Sequence, residues 1–219
     1  MTKQQAADKI TIISFFMDFV AENGEHPTSV RNFCKQHNMK ESEFNTHFSS
    51  FKSVEKEIFS LFFQNTLHAL EQDDTYKNFD TKNKVLSFYY TFFENLAANR
   101  DYVLRTLKNE KNGLKSLKKL TRLKKKYIAY ISDLDIERID LGQQVIEDLQ
   151  IKALQQSAWL QLLVILKFWL EDTSKSFDKT DVFIEKSINT TFHLIDTQLL
   201  KSVIDLGKFM FKEKKHFKL

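Results

Sequence analysis

The sequence holds one cysteine, Cys34, one proline, Pro27, and four glycines among 219 residues. A lone cysteine excludes an intramolecular disulfide framework and any zinc site built from several thiolates, and it points to a reducing, cytoplasmic setting. Scarce glycine and proline leave too little punctuation for many strands and hairpins, so an all-α fold is expected. Long hydrophobic runs are missing too. The most apolar window, Ala158 to Leu170, spans 13 residues and contains Gln161 and Lys167, whereas a bilayer crossing needs about 20 apolar residues. No integral membrane segment is predicted, and the amphipathic start of the chain predicts no export signal.

Signatures of catalysis are equally scarce. There is no Gly-rich phosphate loop, no G-x-S-x-G and no H-E-x-x-H. The paired acids Asp73 and Asp74 lie in polar loop sequence, without the burial that tunes a carboxyl group for acid–base work. Cys34 with His37, and His193 with Asp196, are pairs three residues apart that lack a third ligand. No catalytic residue, metal or cofactor is assigned, and an enzyme is not expected.

What is present is helical periodicity. Ala6, Ile10, Ile13, Met17 and Val20 mark a first helix that ends at Asn23-Gly24, a C-cap pattern. Thr28 or Ser29 caps a second, short helix to about Gln36; a break at His37-Asn38-Met39 precedes a third from about Glu41 to His47. Ser49-Ser50 begins a fourth, with Val54, Ile58, Leu61, Phe62 and Leu67 in its apolar stripe. Further helices are expected over about 81–99, 101–108 and 114–133. Two long segments near 141–171 and 180–212 are apolar on more than one face.

The run Thr28-Ser29-Val30-Arg31-Asn32-Phe33-Cys34, followed by His37-Asn38-Met39, resembles the second helix and turn of the TetR family, whose usual pattern is T-[ST]-V-R-D-I-A and then G-V. The register continues without a gap through Phe44, Phe48, Ser50 and Val54, and upstream through Phe15, Phe16 and Gly24. The resemblance covers about residues 8–60. It implies a TetR-like fold with an N-terminal three-helix helix-turn-helix module at residues 1–52 and a larger helical effector-binding and dimerisation domain at 53–219. It further implies a homodimer that binds a double-stranded DNA operator and responds to a small apolar effector, with the third helix of each module in the major groove. The DNA-contact candidates are Thr28, Ser29, Lys40, Asn45, Thr46, His47 and Lys52.

Three departures from the family pattern stand out. Asn38 replaces the turn glycine and keeps a left-handed turn accessible. Asn45 stands where the family has tyrosine, and Phe51 replaces a phosphate-contacting lysine, with Lys52 one residue later. Through residue 53 the chain carries six Lys/Arg and six Asp/Glu, and Glu41 and Glu43 fall in the recognition helix, where carboxylates oppose phosphate or accept from a cytosine amino group.

The basic excess lies at 102–126, with ten Lys/Arg against the single acid Glu110. Lys115, Lys118, Lys119, Arg122 and Lys126 form one broad helix face, read as a solvated surface, with an anionic ligand, lipid surface or acidic partner as the functional alternative. Phe88, Phe92, Trp159 and Phe168 are candidates for an apolar pocket, and Leu162, Trp169, Phe192, Ile195, Leu199 and Val203 for a dimer interface. Two functions follow: a ligand-responsive repressor, or a TetR-fold protein without operator binding that serves as an accessory carrier of a lipid or other hydrophobic ligand.

Overall fold

A computed structural model describes residues 7–108, 113–134, 136 and 144–196. Among them the chain is all α. It comprises α1 (Lys9–Asn23), α2 (Val30–Gln36), α3 (Glu41–His47), α4 (Phe51–Glu71), α5 (Thr81–Ala97), α6 (Arg100–Leu107), α7 (Gly113–Lys119), α8 (Thr121–Asp133), α9 (Gln144–Glu171) and α10 (Asp178–Asp196). Short 3₁₀ turns lie at Tyr76–Asn78 and Lys175–Phe177. The expected helix over 114–133 is broken at Leu120, whose side chain turns into the core. The Thr121 hydroxyl there donates to the Lys118 carbonyl.

Two compact units emerge, Met1–Leu70 with Thr91–Tyr127, and Glu71–Tyr90 with Ile128–Leu219. The functional boundary expected after residue 52 falls inside the first unit, near the start of α4.

The first unit is organised by capped short helices around aromatic side chains. Asp8 caps α1 by accepting from the Thr11 amide at 2.8 Å, which satisfies one of the orphan donors of the first turn. Gly24 ends α1 at φ 76°, and its N–H reaches the Val20 carbonyl. The fully buried Phe16 stacks on Phe51 with ring centres 5.4 Å apart. Phe51 in turn meets Phe33 at 5.5 Å and Phe44 at 5.6 Å. Such offset and edge-to-face contacts add to the apolar burial of each ring, so Phe51 holds α1, α2 and α3 on the start of α4.

In the second unit α9 and α10 form an antiparallel pair. Leu162, Ile165, Leu166 and Trp169 on α9 are buried, as are Ile184 and Ile188 on α10. The Gln161 side-chain amide donates to Ser187 Oγ and Thr191 Oγ1, both at 2.9 Å. Nearby, Tyr130 stacks on Phe88 at 5.0 Å and its hydroxyl donates to the Lys84 carbonyl at 3.2 Å.

Candidate nucleic-acid interface

The segment from Thr28 to Lys52 builds a helix, a turn and a second helix from local hydrogen bonds. Ser29 Oγ caps α2 by accepting from the Asn32 amide at 3.1 Å, and Asn32 Nδ2 donates to Thr28 Oγ1 at 3.1 Å. Each hydroxyl still has a proton and a lone pair to offer. The turn closes through the Met39 amide on the Cys34 carbonyl at 2.9 Å. Asn38 takes φ 51° there, in the left-handed region. Asn38→Gly should therefore stay within about 0.5 kcal/mol of the parent, whereas Asn38→Val, β-branched at a positive φ, should lose about 1–2 kcal/mol. Thermal melts of the two variants check this.

Helix α3 is oriented by Phe44, which is fully buried against Phe33 and Phe48. Away from Phe44, α3 exposes Ser42 and Thr46, and on its flank Glu41 and Asn45. Lys40, His47 and Lys52 are exposed beside it. Thr46 Oγ1 donates to the Ser42 carbonyl at 2.8 Å, leaving its lone pairs to the outside. All seven DNA-contact candidates thus lie on the surface of one unit, with Ser29 half-buried and the others exposed.

The two glutamates of α3 have different fates. Glu43 Oε2 accepts from the Lys40 amide at 3.0 Å, folding back on the first turn, where a carboxylate satisfies an orphan N–H and complements the helix dipole. Glu41 makes no hydrogen bond or ion pair among the described residues and is open to solvent. In the sequence the two read alike; the signal that separates them is that Glu43 stands at the third helical position, where a glutamate caps.

Helix α4 carries two buried acids, Glu55 and Glu57, that no local sequence pattern marks. Glu55 is 2% exposed; its Oε1 lies 2.9 Å from His26 Nε2 and 3.0 Å from Lys119 Nζ. Lys119 Nζ also donates to the Thr106 carbonyl at 3.0 Å. Glu57 is gripped by Lys9 and by Arg122. Burial on its own would raise both carboxyl groups, but these hydrogen bonds and charges outweigh it and hold both below their ordinary range. Lys119, largely buried, and Arg122, exposed, are therefore both tied to acids of α4, while Lys118 and Lys125 are exposed.

The C-terminal candidates are dispersed. Phe92 belongs to the first unit, and Phe88, Trp159 and Phe168 to the second. Phe88 is fully buried, Trp159 is buried, and Phe168 is part-exposed and stacked on Phe183 at 4.6 Å. Leu162 and Trp169 are covered within the chain itself, and Phe192 and Ile195 are half-buried. Leu199 and Val203 lie outside the described residues. Among the described residues, the large apolar side chains that α9 exposes are Leu160, Val164 and Phe168, one helical turn apart. Among the described residues no helix is long and apolar enough to cross a membrane.

A family model described as "Tetracyclin repressor-like, C-terminal domain" matches residues 84–210, more than half of the chain. No curated protein matches it.

Proposed function

The chain belongs to the TetR family of transcription regulators, and from that premise we propose that it is a cytoplasmic, ligand-responsive, DNA-binding repressor acting as a homodimer. Residues 1–52 bind the operator, and residues 53–219 receive a small apolar effector and dimerise. The observation that supports this reading is the exposure of Thr28, Lys40, Asn45, Thr46, His47 and Lys52, with Ser29 half-buried, on the surface of one unit. The set combines hydroxyls and cations suited to phosphate with amide and imidazole groups suited to base edges. The exposed row Leu160, Val164 and Phe168 supports a second copy packing on α9.

In a dimer the two α3 helices must sit about 34 Å apart to enter successive major grooves, so a modest effector-driven shift loses one half-site and releases the DNA. Chemistry on a bound substrate has no part in this mechanism.

The test is retention of random duplexes by the purified protein at low salt, sequencing of the retained pool, and repetition at higher salt. A palindromic site whose affinity falls as salt rises is the expected result. In a second measurement, Lys52→Ala should weaken binding uniformly across sequences and flatten the log–log salt dependence by about 0.9 for its one lost phosphate contact. Phe51 in place of the family's phosphate-contacting lysine, together with exposed Glu41, favours the second reading, an accessory carrier of a lipid or hydrophobic ligand. Failure to enrich any site, with tight binding of a hydrophobic ligand, would select it.

A further inference from the structure

The fates of Glu41 and Glu43 bear on which operator the protein reads. We infer that Glu41 is a specificity-determining residue that accepts a hydrogen bond from the exocyclic amino group of a cytosine in the major groove. This rests on the operator-binding reading above.

Phe44 fixes which side of α3 faces inward, and Glu41 and Asn45, one turn apart, are exposed on its flank. Glu43 is spent on the Lys40 amide at 3.0 Å, so its carboxylate is turned toward the helix's own backbone. Glu41 has neither carboxylate oxygen in a hydrogen bond among the described residues, whereas Glu43 has Oε2 committed to the helix's own first turn. An ionised carboxylate only accepts hydrogen bonds. In the major groove guanine offers only acceptors and thymine an acceptor and a methyl group, so both repel it or leave it unpaired. Adenine offers one donor beside an acceptor, a pattern that suits the side-chain amide of Asn45 and not a carboxylate. Cytosine alone presents a donor amino group without a neighbouring acceptor on its own edge.

Side chains four apart on a helix have Cβ atoms about 5–6 Å apart, which spans at most two base steps at about 3.4 Å each. Each half-site should therefore hold a cytosine and an adenine within two base pairs of each other. The same carboxylate repels phosphate wherever the cytosine is missing, so it weakens binding to other sequences and sharpens discrimination.

The experiment selects duplexes from a random pool with the full-length protein and with Glu41→Ala, Glu41→Gln and Glu43→Ala, folding being checked by circular dichroism. The parent should enrich a palindrome with cytosine preferred by about tenfold at one position of each half-site. Glu41→Ala and Glu41→Gln should flatten that position alone while binding non-cognate duplexes more tightly. Glu43→Ala should lower the melting temperature and leave the motif unchanged. If the parent enriches a palindrome and the Glu41 variants keep every base preference, the inference is overturned while the regulator reading stands. Should the parent enrich no site at all, the regulator reading falls and takes this assignment with it.

Discussion

Replacing Glu55 by alanine should destabilise the folded protein by about 3–5 kcal/mol, because it removes the buried carboxylate on which Lys119 and His26 converge. The carboxylate is buried, and its partner Lys119 has a side chain only 14% exposed. Alanine would remove the carboxylate that Lys119 and His26 both reach on α4. Urea unfolding followed by far-ultraviolet circular dichroism measures the loss, and a value under about 1 kcal/mol would place the pair among ordinary surface bridges. Lys119→Met, alone and combined with Glu55→Ala, should show strong coupling in a double-mutant cycle. The pH dependence has a definite sign. The folded carboxyl group is held below its usual 4.5, so its contribution is complete above that value and is lost as pH falls through the lower folded value. Glu55→Gln should therefore lose less stability on acidification than the parent.

Asp172→Ala should cost about 3 kcal/mol, through a different set of bonds. Asp172 is buried at the end of α9, and both of its oxygens are used. Oδ1 accepts from the Ser174 amide at 2.8 Å and hydroxyl at 2.7 Å. Oδ2 accepts from the Thr180 amide at 3.0 Å and hydroxyl at 2.6 Å. Burial works to raise this carboxyl group, yet the four donors hold it at about 2, below the usual 3.8. That depression corresponds to about 2 kcal/mol of linked stability, fully present above pH 3.8 and lost as pH falls through about 2. The same bonds hold a strained connection. Ser176 and Phe177 both have positive φ, at 53° and 63°, a conformation that costs L-residues about 1–2 kcal/mol each. The Phe177 ring rests on Trp169 with centres 5.7 Å apart, so removing Asp172 should free the turn and loosen the α9–α10 pair. Asp172→Asn puts a donor where an acceptor is needed and should recover only part of the loss. Chemical denaturation of both variants between pH 2 and pH 7 checks magnitude and sign together.

Much of the architecture was legible in local patterns. The ends of α2 and α3 were marked by Ser29 and by the break at His37-Asn38-Met39, and Asn38 adopts the left-handed turn its side chain tolerates. Gly24 closes α1 as a C-cap glycine should. Phe51 read as a missing phosphate contact; in the structure it is a ring shared by Phe16, Phe33 and Phe44. The split at Leu120 was hidden because α7 and α8 continue one amphipathic pattern across a single turn residue.

The sequence by itself determined the all-α class, the short capped helices around residues 28–52 and the placement of apolar residues on helix faces. Caps, turns and periodicity are properties of neighbours within a few positions, so they can be read along the chain. Tertiary structure alone decided which charges are available to a partner. Arg122 lies 65 residues from Glu57 along the chain, and no spacing rule links them; their pairing exists only because α4 and α8 meet. The same holds for Leu162 and Trp169, whose apolar character is plain in sequence but whose burial within the chain is set by the packing of α9 on α10. Hydrophobicity and charge are intrinsic to a side chain, whereas exposure belongs to the fold.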